Sequence, residues 1–262
     1  MRLTYEDGGA GEPAVVLIHG WAFGNRSHLV PQFEHLSSSR RTILLDLPGH
    51  GGSDPVPRGF GFPECAAAIG AVLDAAGIDR AVVCGHSFGG RLAVEVAAAY
   101  PSQVVGAALL DPIILFPPAA RDRAGMLATA LESDGWLTAL ETYFSRFLSP
   151  YDRPQVRSKV MAELAEVLGE LAARVMRAGK ETDGSEALAR VQCPLLVLRG
   201  AETPMDAARL RELQPGAWLG APVGTGHWMT LSVPEQVNAM LDRFLEVGVD
   251  PIRGHRPRPL RR

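Results

Sequence analysis

The chain has 262 residues, 47% of them hydrophobic and 21% charged, which suffices to bury one large core and excludes a disordered chain and a small disulfide scaffold. Its 29 acidic and 26 basic side chains leave a formal charge of −3, so no global field draws it to nucleic acid or to an anionic membrane. The expected partner is a small molecule recognised locally; oligomeric state is not readable. The segment from Met1 to Pro13 lacks the apolar stretch of a signal peptide, and no run approaches the ~20 apolar residues of a membrane span, which together lead to the expectation of a cytoplasmic protein. Cys65, Cys84 and Cys193 have neither metal-site nor disulfide-framework spacing and read as buried thiols.

Taken in chain order, strand-length apolar runs recur at Val15 to His19, Thr42 to Asp46, Ala81 to Cys84, Val104 to Leu110, Leu195 to Leu198 and, more weakly, Ala217 to Leu219. Continuous hydrophobicity without alternation marks strands buried on both faces. Helical stretches such as Glu64 to Ala76 and Arg91 to Tyr100 alternate with them. The fold class is therefore α/β, a mostly parallel central sheet with helices on both faces.

From about Phe116 to Arg190 the alternation stops. Trp136, Leu140, Tyr143, Phe144 and Phe147 repeat at helical spacing, and Val160, Leu164, Val167, Leu168, Leu171 and Val175 predict one further helix with a single apolar stripe. The expected organisation is a core of residues 1–115 and 191–248 carrying a helical cap over 116–190, at the carboxyl edge where ligands of open α/β sheets bind; an ordinary helical layer is the alternative. Ser232 and Glu235 form a capping box ahead of Val237, Met240, Leu241, Phe244 and Leu245, a helix expected on the sheet edge. The tail over 249–262 holds five arginines and three prolines, and disorder is expected there.

Gly85-His86-Ser87-Phe88-Gly89-Gly90 lies directly after one apolar run and directly before a helical one. This is G-x-S-x-G in the strand-turn-helix setting that gives the pattern meaning. Small neighbours permit the tight turn, and the serine hydroxyl then projects at a helix N-terminus, whose free amides favour developing negative charge. His19-Gly20-Trp21 ends the first buried run, where the Trp21 amide, with that of Phe88, would make a two-donor oxyanion hole; the Trp21 side chain serves equally well as a pocket wall. Asp46 to Ser53 reads as a structural turn held by Asp46 and His50. Gly224-Thr-Gly-His227-Trp228 follows the last weak run, placing a histidine on a loop within reach of Ser87.

These motifs, in this order, resemble the α/β-hydrolase fold superfamily over roughly residues 3 to 246. The resemblance implies Ser87 as nucleophile, His227 as base, oxyanion donors at Trp21 and Phe88, and a helical cap. The acid departs from the common pattern, Gly-x-x-Asp after the penultimate strand: here Arg199-Gly200-Ala201-Glu202-Thr203 places Thr203 there. A minority of the superfamily carries the acid after the strand that follows the nucleophile helix, and in this chain that strand ends at Asp111, which is the expected acid. Glu202 is its rival and Asp206 a distant third.

The implied chemistry is that of a serine hydrolase acting on a carboxylic ester or lactone through an acyl-enzyme, with no cofactor and no metal. No HExxH, Rossmann or P-loop signature is present. Phe116, Trp136, Tyr143, Phe144, Phe147, Tyr151 and Trp228 are candidate pocket walls, although helix-spaced aromatics more often form core. Carbon–carbon bond hydrolysis and acyl transfer use the same triad, and a ligand-binding protein without turnover is the reading from a different class.

Overall fold

A computed structural model describes residues 1–21, 26–56, 61–164, 169–201 and 203–250. The apolar runs become strands β2 (Ala14–Ile18), β3 (Thr42–Leu45), β4 (Ala81–His86), β5 (Val104–Leu110), β6 (Leu195–Leu198) and β7 (Trp218–Gly220). They form one sheet with β1 (Tyr5–Gly8) in the order β1-β3-β2-β4-β5-β6-β7. Every pairing is parallel except β1 with β3.

Helices α1 (Val30–Ser37), α2 (Phe62–Ala75) and α3 (Phe88–Ala99) connect the first strands. Between β5 and β6 lie α4 (Pro118–Ala130), α5 (Trp136–Ser145), α6 (Pro154–Leu164), α7 (Gly169–Glu181) and α8 (Ser185–Arg190). The chain then runs through α9 (Ala207–Leu213), α10 (Met229–Ser232) and α11 (Pro234–Phe244). Side chains alternate across the sheet: Val16, Ile18, Val83, Ala107 and Leu109 face α2, α3 and the helical insertion, whereas Val15, Leu17, Cys84, Ala108 and Leu110 face α1 and α11. Both faces are thus sealed, the condition that makes a parallel strand read as an unbroken apolar run.

The stripe expected from Val160 to Val175 falls on α6 and α7, and residues 165–168, with Val167 and Leu168, lie outside the described residues. Three expectations need correction. Ser232 ends α10 and makes no cap; its hydroxyl donates to the buried Asp152 carboxylate at 2.6 Å, and Pro234 in the first turn of α11, preset to helical φ, starts that helix itself. Helix α11 packs on a sheet face beside α1 instead of on the edge, although Phe244 also meets Trp218 of edge strand β7. Finally, the tail is ordered further than its composition indicates: Val249 is buried and Asp250 pairs with Arg40. Residues 251–262 lie outside the described residues.

The insertion is tied to the core at a few points. Its two ends meet where the Leu115 amide donates to the Asp183 carbonyl at 2.7 Å. Buried Arg91 of α3 pairs with Glu95, lies 4.2 Å over the Phe62 ring and donates to the Thr182 carbonyl and hydroxyl. The Ser27 hydroxyl donates to Glu163 of α6 at 2.7 Å.

Candidate active site

Ser87 joins β4 to α3 at φ 56° and ψ −117°, a region that costs a non-glycine residue strain and persists only where its surroundings enforce it. Here the surroundings are backbone. The Ser87 amide continues the sheet ladder to the Leu110 carbonyl at 2.9 Å, while its carbonyl accepts from Gly90, Arg91 and Ile113. A Cβ on Gly85 would stand 2.0 Å from the Gly89 carbonyl oxygen, and one on Gly89 would stand 2.1 Å from that of Ile18. These two glycines therefore let α3 begin against the ends of β4 and β2. The Phe88 amide lies in the first turn of α3, among those with no intrahelical acceptor.

The Gly20-Trp21 turn is held close by. A Cβ on Gly20 would be 3.3 Å from the Ser87 Cβ. His50, in the turn after β3, has its Nε2 3.0 Å from the Trp21 carbonyl and its Nδ1 2.9 Å from that of Pro48. The Leu47 amide donates to His19 Nε2 at 2.8 Å, which leaves the ring proton on Nδ1 to meet the Gly20 carbonyl at 2.6 Å. Asp46 accepts from Arg26 at 2.5 Å and from Thr4 at 3.0 Å. His50 and Asp46 thus organise the turn that presents Trp21.

Asp111 follows β5 in a left-handed conformation, φ 47°, with no exposed surface. Its Oδ2 accepts from His227 Nδ1 at 2.6 Å and from the Thr203 hydroxyl; its Oδ1 accepts from the Gly200 amide at 2.6 Å. Burial pushes the carboxyl upward, but the His227 hydrogen bond and charge, then Thr203 and Gly200, outweigh it and hold the group below the ordinary carboxylate range. The His227 loop is anchored beside the elbow, because His86 Nε2 donates to the His227 carbonyl at 2.8 Å. His86 Nδ1 faces His28 Nε2 at 3.1 Å. Burial, then the neighbouring His227, lowers His86 to about 3, and burial likewise drives His19 and His28 well below the usual histidine value.

The structure brings part of the aromatic set together. Phe147 lies 5.2 Å from the His227 ring, Trp228 lies 4.9 Å from it, and Phe144 bridges Trp21 at 5.7 Å and Trp228 at 6.1 Å, with Tyr143 packed on Phe144 and Phe147. Trp136, at the other end of α5, is removed from this cluster by about 12 Å of helix rise, Phe116 is half-buried where the insertion begins, and Tyr151, 74% exposed, lines a separate open cleft with Arg199, Gly200 and Thr225. Phe88 also borders a narrow apolar cavity lined by Leu47, Phe62, Cys65 and Val175 among others.

Glu202 lies outside the described residues. Asp206 accepts from the Arg209 amide and caps α9. The cysteines are protonated bystanders: burial pushes Cys84 up to about 12 and Cys193 to about 11. Sequence reading missed His86, Gly200 and the hydroxyl role of Thr203. The only signal for His86 was its place inside the serine turn; for the other two, the contact with Asp111 spans 89 and 92 residues.

A model of the alpha/beta hydrolase family matches residues 15–240. The chain belongs to this family. Among curated relatives, it is 31% identical to a 2-hydroxy-6-oxononadienedioate/2-hydroxy-6-oxononatrienedioate hydrolase of Burkholderia vietnamiensis, covering 94% of this chain and 91% of the relative. It is 30% identical to a pimeloyl-[acyl-carrier protein] methyl ester esterase of Chromobacterium violaceum, covering 97% and 94%. A solved esterase from Thermogutta terrifontis superposes with a TM-score of 0.81 over 94% of each chain at 24% identity, a likeness of fold. Membership in a hydrolase family accounts for the serine elbow, and no helix among the described residues is long and apolar enough to cross a membrane.

Proposed function

We propose that this family member is a serine hydrolase of a carboxylic ester or lactone, with Ser87 as nucleophile, His227 as base and Asp111 as acid. The observation that carries the reading is the 2.6 Å contact between His227 Nδ1 and a buried Asp111 carboxylate, on the loop that His86 ties beside the strained Ser87 turn. His227 Nε2 takes the Ser87 proton as Oγ attacks the acyl carbonyl. Asp111 fixes the Nδ1–H tautomer and stabilises the imidazolium that forms. The amides of Phe88 and Trp21 meet the oxyanion. His227 then gives its proton to the leaving alkoxide, and water repeats the sequence on the acyl-enzyme to release the acid.

Hydrolysis of p-nitrophenyl acetate through octanoate by wild type and Ser87→Ala tests this reading. Activity confined to wild type is expected; equal rates for the two proteins reject it. A second reading, cleavage of a carbon–carbon bond in a dienone acid by the same residues, is favoured by the 31% identical relative. Consumption of a chromophoric dienone acid faster than any simple ester would select it.

A further inference from the structure

We infer that Thr203 is a positioning residue for Asp111, holding its carboxylate plane toward His227. The inference rests on the proposed triad. Thr203 occupies the place after β6 where the superfamily resemblance puts the acid, and it is buried, 4% exposed. Its backbone is fixed, since its carbonyl accepts from the Met205 amide at 2.9 Å and from Arg199 Nη2 at 3.3 Å. The hydroxyl donates to Asp111 Oδ2, the same oxygen that takes the His227 Nδ1 proton.

One consequence follows from these contacts. With Oδ1 held by the Gly200 amide and Oδ2 by Thr203, rotation of the carboxylate about χ2 breaks a hydrogen bond at either oxygen, so its plane stays aimed at the imidazole. This matters because Asp111 hangs from a left-handed residue at a strand end, φ 47°, which by itself leaves χ2 free.

The test compares kcat and KM for a p-nitrophenyl ester, with thermal melting as a fold check. Asp111→Asn alone is expected to lose about 10⁴-fold in kcat; wild-type activity in that variant rejects the triad itself, apart from anything said of Thr203. Thr203→Val should lower kcat about tenfold with KM nearly unchanged, and Thr203→Ser, which keeps the donor, should return it to within about twofold of wild type. Provided that Asp111→Asn is impaired, a Thr203→Val enzyme with wild-type kcat, or a Thr203→Ser enzyme as slow as the valine variant, overturns the positioning role. Should the valine variant fail to fold, the far-downfield proton of His227 Nδ1 is compared between wild type and Thr203→Ser: a resonance lost in the serine variant contradicts the positioning role, and one retained supports it.

Discussion

The sheet and the helical insertion are held by different means. At the elbow, placement is enforced by backbone: glycines without room for a Cβ, ladder hydrogen bonds, and strands buried on both faces. The insertion is placed by side chains, through α4 packed along α7, Phe144 wedged between Trp21 and Trp228, and hydrogen bonds such as Ser232 to Asp152. Backbone constraint gives a site that tolerates little change in geometry. Side-chain constraint gives a layer whose shape and attachment are adjustable one residue at a time.

The largest expected effect lies on the core side. Asp111→Asn should abolish most turnover, by about 10⁴-fold or roughly 5.5 kcal/mol of barrier, with an unchanged circular dichroism spectrum. Loss of the fold in that variant would show that the carboxylate holds the sheet end together and would erase the separation between scaffold and chemistry.

Next comes acid sensitivity. Burial holds His19, His28 and His86 below 6.5, His86 at about 3. The unfolded chain protonates all three as pH falls through 6.5 while the folded chain does not, so it binds more protons and folding loses stability. The stability is full above about 6.5 and declines toward pH 3, by roughly 4 kcal/mol per pH unit where all three unfolded rings are charged. Urea midpoints measured between pH 7 and 5 check the sign; a flat profile would mean that the core of histidines is not dry.

Phe144→Ala sharpens the contrast from the other side. Removing this buried ring should cost about 3–5 kcal/mol in chemical denaturation, and a single cooperative transition would show that insertion and core unfold together. Two separated transitions would make the insertion an independent unit. Smaller still, Ser232→Ala strips a hydrogen bond from a buried carboxylate oxygen and should cost about 1–3 kcal/mol, read from the same urea midpoints. No measurable loss would show that water replaces the hydroxyl and that this anchor is slack.

What was legible in the sequence divides along the same line. Strands β2 to β6 were readable because both their faces are buried, and the serine turn because glycines are forced on either side of it. Strand β1 was not, since Tyr5–Gly8 is a largely exposed strand at the end of the sheet order, paired antiparallel with β3, leaving no apolar run to find. Asp111 was reachable from its spacing to Ser87, but its partners were not: Thr203 and Gly200 arrive from a strand on the far side of the insertion, and no local period encodes such a meeting. Ser232 misled because a capping signature says nothing of a buried carboxylate 80 residues away that competes for the hydroxyl.

The hydrogen bond from the Leu115 amide to the Asp183 carbonyl closes the neck of residues 116–182, and it does so after both Ser87 and Asp111 have already been laid down. Because the two ends touch, what lies between them can change in length without shifting the register of β5 and β6, provided that it still covers the sheet face which the insertion seals. The proposed nucleophile and acid thus reside in one contiguous stretch of chain ahead of the neck. Exchange of the intervening helices between relatives, by recombination or by design, would leave that pair covalently undisturbed and pass on a new enclosure for the substrate.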